Sequence, residues 1–279
     1  MTVAEIIRLV QLRIRPVAME EDLQQAKELV GAVIGIDPPA LMLHHGMEIT
    51  GEQLTELGAL VARRASGEPL QYILSQWSFM GLTISVGPGV LIPRADTEAL
   101  CEEALRLARE RGYKTALDLC CGSGCIGIAL RSIGALATTC ADISQDCVQA
   151  ARENAALNGV MIEIVQGDLF EAVAGRRYDL IVCNPPYLSR ADMDALQTEV
   201  GFEPQLALYG GADGLDFYRR IAADYGRYLN ADGALLLEIG STQAEAVCAL
   251  FDHASVGRDY AGNPRVVTVY NGGRDQNPN

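Results

Sequence analysis

Four consecutive residues, Asn184-Pro185-Pro186-Tyr187, follow a strand-like run from Tyr178 to Cys183. Two prolines after a buried strand continue a ladder poorly, because each lacks an amide donor and has a fixed φ. They build a rigid loop that keeps its carbonyls. Such a loop can present the Asn184 side chain, the Pro185 carbonyl and an aromatic ring to a planar NH2 group, as in an amide or an adenine. The nitrogen of that group is a poor nucleophile, since its lone pair is delocalised. The Asn184 Oδ1 and the Pro185 carbonyl would accept its two N–H bonds and aim the lone pair at an incoming methyl group. As the nitrogen becomes tetrahedral and cationic, these acceptors hold it more strongly than the ground state, which lowers the barrier. Alignment in line with the leaving group supplies more. Tyr187 would stack on the flat group and support the developing charge. No strong general base is required, because the proton can leave after transfer. On this reading Asn184, Pro185 and Tyr187 are catalytic, and Asn184, Pro185, Pro186 and Tyr187 hold the substrate.

Three earlier strand ends carry the marks of a cofactor site. Asp118-Leu-Cys120-Cys121-Gly122-Ser123-Gly124 closes one apolar strand and opens a helix, whose free amides and glycine-rich backbone admit a bulky ligand. Taken alone, this turn suits a methyl donor or a dinucleotide equally, or a tight turn with no ligand. Asp142, followed by Ile143, ends the next strand and can accept from ribose hydroxyls of either cofactor. Asp168-Leu169 ends a third, where a carboxylate beside apolar groups can receive an adenine amino group; Asp168 could also simply cap the following helix. The fourth end, at Asn184, decides for a methyl donor, S-adenosylmethionine.

The elements that must position these residues follow from periodicity. Residues 1–75 read as helical, with Leu23, Ala26, Leu29, Val30 and Val33 at helical spacing and a helix from about Gly51 to Arg64 capped by Thr50. They form a small helical domain suited to gripping a partner. Residues 76–93 read as a β-hairpin linker turning at Gly87-Pro88-Gly89. From 94 to 279, buried strands alternate with helices, which predicts an α/β, Rossmann-like, doubly wound sheet. Ligands bind beyond the carboxyl ends of such strands, and every motif above falls at one.

Composition narrows the function. The formal charge is −14 with no basic run, which disfavours direct nucleic-acid binding and leaves a protein or small-molecule substrate. An acidic surface would steer a basic partner. No apolar run reaches the roughly 18 residues a membrane span needs, and no secretory cleavage pattern follows the start, so a cytoplasmic location with no membrane association is expected. The eight cysteines read as reduced thiols. Cys120, Cys121 and Cys125 cluster, but no second ligand pair lies at zinc spacing, so no metal is expected.

With these residues in view, the chain resembles the bacterial release-factor glutamine methyltransferases, the HemK/PrmC family, over nearly its whole length. The segments that carry the resemblance are Gly67–Tyr72, Leu91-Ile-Pro-Arg94-Ala-Asp96-Thr97-Glu98, Asn184–Tyr187, Glu203-Pro204, Gly210-Gly211-Ala-Asp-Gly214-Leu215, Glu238-Ile-Gly240 and Asp259–Arg265. The resemblance implies a substrate that composition does not reveal, the glutamine of the Gly-Gly-Gln motif in class-1 peptide release factors, methylated at N5 to tune translation termination. It also places the donor across Cys120–Gly124, Asp142, Asp168-Leu169 and Asn184. Two departures stand out. Glycine is usual at Cys120, and often another small residue at Cys121, so altered packing rather than lost binding is expected. Leu169 offers less adenine contact than an aromatic residue would. The competing readings are adenine N6 methylation, which the charge disfavours, the sister activity on a ribosomal-protein glutamine, and a binding protein that merely keeps the fold.

Overall fold

Residues 1–272 are described by a computed structural model and divide into two units, Met1–Ser75 with Gln197–Phe202, and Gln76–Leu196 with the chain from Glu203 onward. Residues 273–279 of the expected catalytic span lie outside the described residues.

The first unit is helical because its apolar residues recur every three or four positions. Helix α1 (Val3–Ala18) opens on a capping box between Thr2 and Glu5 and buries Val3, Ile6, Ile7, Val10 and Ile14. It packs with α2 (Asp22–Ile34) and α3 (Gly51–Ala65), and α4 (Leu70–Leu74) follows. The Thr50 cap of α3 forms as expected, closed into a box by Gln53. A fully buried arginine ties this unit together. The Arg64 guanidinium donates to Gln25 Oε1 at 2.7 Å and to the Val17 and Glu68 carbonyls, and pairs with Glu199 at 3.2 Å. Glu199 belongs to the short excursion 197–202, which helical periodicity in the first 75 residues could not reveal.

The second unit begins with a hairpin, β1 (Gln76–Phe79) and β2 (Leu82–Ser85). Its turn is Met80-Gly81, not the expected Gly87-Pro88-Gly89. Both turn residues have positive φ, 50° and 78°, as a two-residue turn between twisted strands demands. Residues 87–92 are irregular loop, since Pro88 has no amide for a ladder. Then come α5 (Ala95–Arg111), β3 (Thr115–Leu119), α6 (Cys125–Ser132), β4 (Ala137–Asp142), α7 (Gln145–Leu157), β5 (Glu163–Gln166) and β6 (Tyr178–Cys183). After β6 lie α8 (Arg190–Asp194), α9 (Gln205–Leu208), α10 (Asp216–Tyr228), β7 (Leu229–Glu238), α11 (Ala244–Cys248), β8 (Ala254–Arg258) and β9 (Pro264–Tyr270).

The seven strands form one sheet in the order β5-β4-β3-β6-β7-β9-β8. The first five in that order are parallel, and β9 and β8 close the edge antiparallel. The fold is α/β with a largely parallel, doubly wound sheet. Leu117, Ile181 and Leu235 on one face and Leu180, Val182 and Leu236 on the other are fully buried, as expected of strands covered on both faces. The chain reverses its winding between β3 and β6, and a crevice opens at such a switch point. No helix among the described residues is long and apolar enough to cross a membrane.

Candidate active site

The carboxyl ends of β5, β4, β3 and β6 lie on one edge of the sheet and surround a cavity of about 500 Å³, enough for a nucleoside-sized ligand. Cys120, Cys121, Gly122 and Ser123 line it from the end of β3, Asp142 and Ile143 from β4, Asp168 and Leu169 after β5, and Asn184 and Pro186 after β6. The four motifs read from the sequence thus meet in one place.

The turn after β3 is bent by its first residue. Cys120 adopts φ +59°, the left-handed region that favours glycine. The turn is tied to β4 by the Cys121 amide donating to the Ala141 carbonyl at 3.1 Å. Asp142 fastens it further. One carboxylate oxygen accepts from the Gly122 amide at 2.8 Å and the other from the Ser144 amide at 2.9 Å. Burial raises the Asp142 carboxyl above its usual range, while the backbone amides of Ser144 and Gly122 oppose the rise.

Asp118 has a different position from the one expected of a ligand contact. It is fully buried, does not line the cavity, and accepts from the Gly127 amide at 2.8 Å, which pins the first turn of α6. Its Oδ1 has no hydrogen-bond partner among the described residues. Burial pushes the carboxyl up to about 7.

At the other end of the cavity Asp168 forms a 2.7 Å ion pair with Arg220. The Arg220 guanidinium stands 5.8 Å from the centre of the Phe217 ring, and both residues line the cavity. They sit three positions apart on one face of α10. Sequence reading missed this pair, because an i, i+3 aromatic and arginine on an amphipathic helix look like any other helix face.

The Asn184 amide is half-buried at the cavity wall, and its Nδ2 donates to the Thr97 hydroxyl at 3.3 Å. No hydrogen bond from a described residue reaches Oδ1, so the carboxamide oxygen is left as an acceptor. Pro185 and Tyr187 are not among the cavity-lining residues; Pro185 is buried and Tyr187 is half-buried against the main core. Burial pushes the Tyr187 hydroxyl up to about 12, so it stays protonated at neutral pH. The loop is held from behind. The Gln243 amide donates to the Tyr187 carbonyl at 2.9 Å. Gly210 and Gly214 pass so close that a Cβ would lie 2.6 Å from the Pro186 oxygen and 2.3 Å from the Tyr187 oxygen, respectively.

Other signature segments of this unit are tied together by charged side chains. Arg94 pairs with buried Glu203, which also accepts from the Ile92 amide at 3.0 Å. Arg265 pairs with Asp96 at 3.1 Å and Asp259 at 3.3 Å. Glu98 accepts from the Met80 amide at 2.7 Å, anchoring the hairpin turn. All eight cysteines are free, and among the described residues no group of three His, Cys, Asp or Glu side chains could hold a metal ion.

Comparison with known proteins places the chain among methyltransferases. Residues 97–200 match the family model described as methyltransferase small domain, and residues 5–74 match the PrmC N-terminal domain. Curated relatives named release factor glutamine methyltransferase include one from Geobacter sulfurreducens, 44% identical over 80% of this chain and 78% of its own. One from Thermodesulfovibrio yellowstonii is 38% identical over 89% and 92%, and one from Cereibacter sphaeroides 37% over 96% and 98%. A solved methyltransferase from Pyrococcus furiosus shares the fold at TM-score 0.54 and 16% identity, covering 80% of this chain and 100% of its own.

Proposed function

Since the chain belongs to the release factor glutamine methyltransferase family, we propose that it methylates the side-chain amide nitrogen of the glutamine in the Gly-Gly-Gln motif of class-1 peptide release factors, with S-adenosylmethionine as donor. The observation that carries this reading is the Asn184 amide at the cavity wall, its nitrogen committed to Thr97 and its oxygen left to accept.

The residues present fit the donor. The backbone of Cys120–Ser123 and the Asp142 carboxylate would hold its sugar and amino-acid portions, and Ile143, Asp168, Leu169, Phe217 and Arg220 its base. When bound, the donor supplies an activated methyl group on a sulfonium. The chain's own contribution is to present and polarise the nucleophile. Asn184 Oδ1 accepts one N–H of the glutamine amide and the Pro185 carbonyl the other, turning the nitrogen lone pair toward the donor side of the cavity. These acceptors are fixed before reaction by two prolines and by the Gly210 and Gly214 contacts, so little reorganisation accompanies charge development. Tyr187, as a neutral aromatic, flanks the amide plane. The proton departs after transfer and needs no dedicated base.

The −14 charge fits a basic protein partner rather than nucleic acid, and a cytoplasmic enzyme acting on the translation machinery. The test is incubation with labelled donor and a purified class-1 release factor, followed by peptide mass mapping. Label on the Gly-Gly-Gln glutamine supports the assignment, and label confined to nucleic acid overturns it. Replacement of Asn184 by alanine is expected to lower turnover ~100-fold or more while donor affinity changes only a few-fold. Equal losses in both would make Asn184 a donor ligand instead.

A further inference from the structure

The loop from Asn184 to Tyr187 has no amide at positions 185 and 186, so at its centre it is tied down through carbonyls and side chains. Gln243 supplies such a tie. It occupies the N-cap position of α11, and its side chain folds back onto the turn after β7. Its Nε2 donates to the Tyr187 carbonyl at 2.9 Å and to the Gly214 carbonyl at 3.3 Å, while its Oε1 accepts from the Gly240 amide at 2.9 Å. One carboxamide therefore joins the reaction loop after β6, the segment ahead of α10 and the turn after β7. Two glycines leave room for it: a Cβ would lie 2.7 Å from Nε2 at Gly214 and 2.9 Å from Oε1 at Gly240.

The orientation of this carboxamide is dictated by its partners. A backbone amide only donates and a backbone carbonyl only accepts, so Oε1 must meet Gly240 and Nε2 must meet Tyr187 and Gly214. Turned over, the group would set N–H against N–H at Gly240 and oxygen against oxygen at both carbonyls. Gln243 is not among the residues lining the cavity, so it acts on the loop rather than on a ligand there. Pro186, the residue before Tyr187, does line it, and a shift of the Tyr187 carbonyl is carried into the cavity wall.

We propose that Gln243 is a positioning residue for methyl transfer: by holding the Tyr187 carbonyl against two other segments, its carboxamide fixes where the loop presents the Pro185 carbonyl and the Tyr187 ring to the substrate amide. The proposal rests on the amide-methylation reading above. The loss on removing this tie falls on the transfer step, because the Cys120–Ser123 turn and Asp142 stand at the ends of other strands, β3 and β4.

The experiment measures single-turnover methyl transfer to purified release factor, with donor and release factor saturating, from pH 5.5 to 8.5. It compares the wild type, Gln243→Ala and Gln243→Glu, with donor affinity measured separately by calorimetry. At pH 8.5 both variants are expected to be slowed about 10- to 100-fold, with donor affinity changed less than about threefold. Gln243→Glu keeps the shape of the side chain but, ionised, brings no hydrogen and faces two carbonyl oxygens, which favours its protonation. Once protonated, the introduced carboxyl regains one hydrogen for Tyr187 and keeps an acceptor for Gly240. The ratio of the Gln243→Glu rate to the wild-type rate should therefore rise about fivefold or more as pH falls to 5.5, since titrations common to both proteins cancel. A Gln243→Ala rate within about threefold of wild type, donor affinity that falls as far as the rate, or a ratio that stays flat or drops on acidification would each overturn the proposal. Should Gln243→Ala fail to fold, the Gln243→Glu ratio decides alone. Failure of both variants to fold would make the residue a structural one and overturn the proposal as well. A wild-type enzyme that labels no glutamine would instead overturn the proposed function, which is a separate outcome.

Discussion

Cys120 holds a backbone conformation that its side chain opposes. At φ +59° its Cβ crowds the neighbouring carbonyl, at a cost of about 1–2 kcal/mol that glycine does not carry. The turn nevertheless needs that conformation, because the next amide must reach the Ala141 carbonyl and the amide after it Asp142. A direct comparison of Cys120→Ala and Cys120→Gly separates the two contributions, since both lose the sulfur and only alanine keeps the strain. Glycine should be the more stable of the two by about 1 kcal/mol, less a few tenths for the freedom it adds to the unfolded chain. Urea unfolding midpoints at neutral pH measure it, and an alanine variant as stable as the glycine one would show the turn to be unstrained. Sequence alone could mark Cys120 as unusual only against its resemblance to a family, because φ is not written in composition. Asp118 was misplaced for a related reason. An acid at a strand end can face the ligand or the first turn of the following helix, and the spacing to Gly127 is the same in both cases.

The loop from Asn184 to Tyr187 owes its rigidity to an element far along the chain. The segment before α10 runs against it so closely that Gly214, with φ +76°, has no room for a methyl group next to the Tyr187 carbonyl. Gly214→Ala must therefore displace the loop or the segment, and positioning errors of about 1 Å can cost ~100-fold in rate. The expected result is a large fall in turnover with near-normal donor affinity, since Asp142 and the Cys120 turn are untouched. Turnover within threefold of wild type would mean that the loop is held by its prolines alone. How much of this was legible depended on local signal. The carboxyl ends of β4 and β6 are legible because β-rich runs stop there at an acid or at Asn-Pro-Pro. The edge strand β8, Ala-Ser-Val-Gly-Arg, was not found, because it is short, mostly exposed and carries no alternation. β7 begins at Leu229, though Asn230-Ala-Asp-Gly233 looks like a turn and is strand only through its neighbours. Likewise Thr97 stood in a recognised segment, yet nothing local said that it would meet Asn184, 87 positions away.

At the scale of the whole molecule, the charge distribution sets how stability varies with pH. Two kinds of acid act in opposite directions. Glu68, Glu163, Asp179 and Asp213 have lowered carboxyl pKa values, chiefly through arginine partners or, at Asp179, through amide and hydroxyl donors that outweigh burial. Their contribution is present above the ordinary carboxylate range and is lost as pH falls below it. Asp118 and Glu238 behave in the reverse sense. Both are raised to about 7 by burial, so their favourable contribution is complete below about pH 4 and is lost as pH rises toward 7, where the folded protein is forced to ionise them. Each can withdraw on the order of 1 kcal/mol per pH unit across that interval. Self-repulsion within a chain of net charge −14 adds to the decline. Stability of the catalytic unit should therefore peak near pH 5 and fall toward pH 8. Asp118→Asn and Glu238→Met each remove one such ionisation and leave overall repulsion nearly unchanged. Urea midpoints at pH 5.5 and 8 should differ less in either variant than in the wild type. A decline of wild-type size in both variants would remove these two buried carboxylates from the account and leave net charge and Asp142 to explain it.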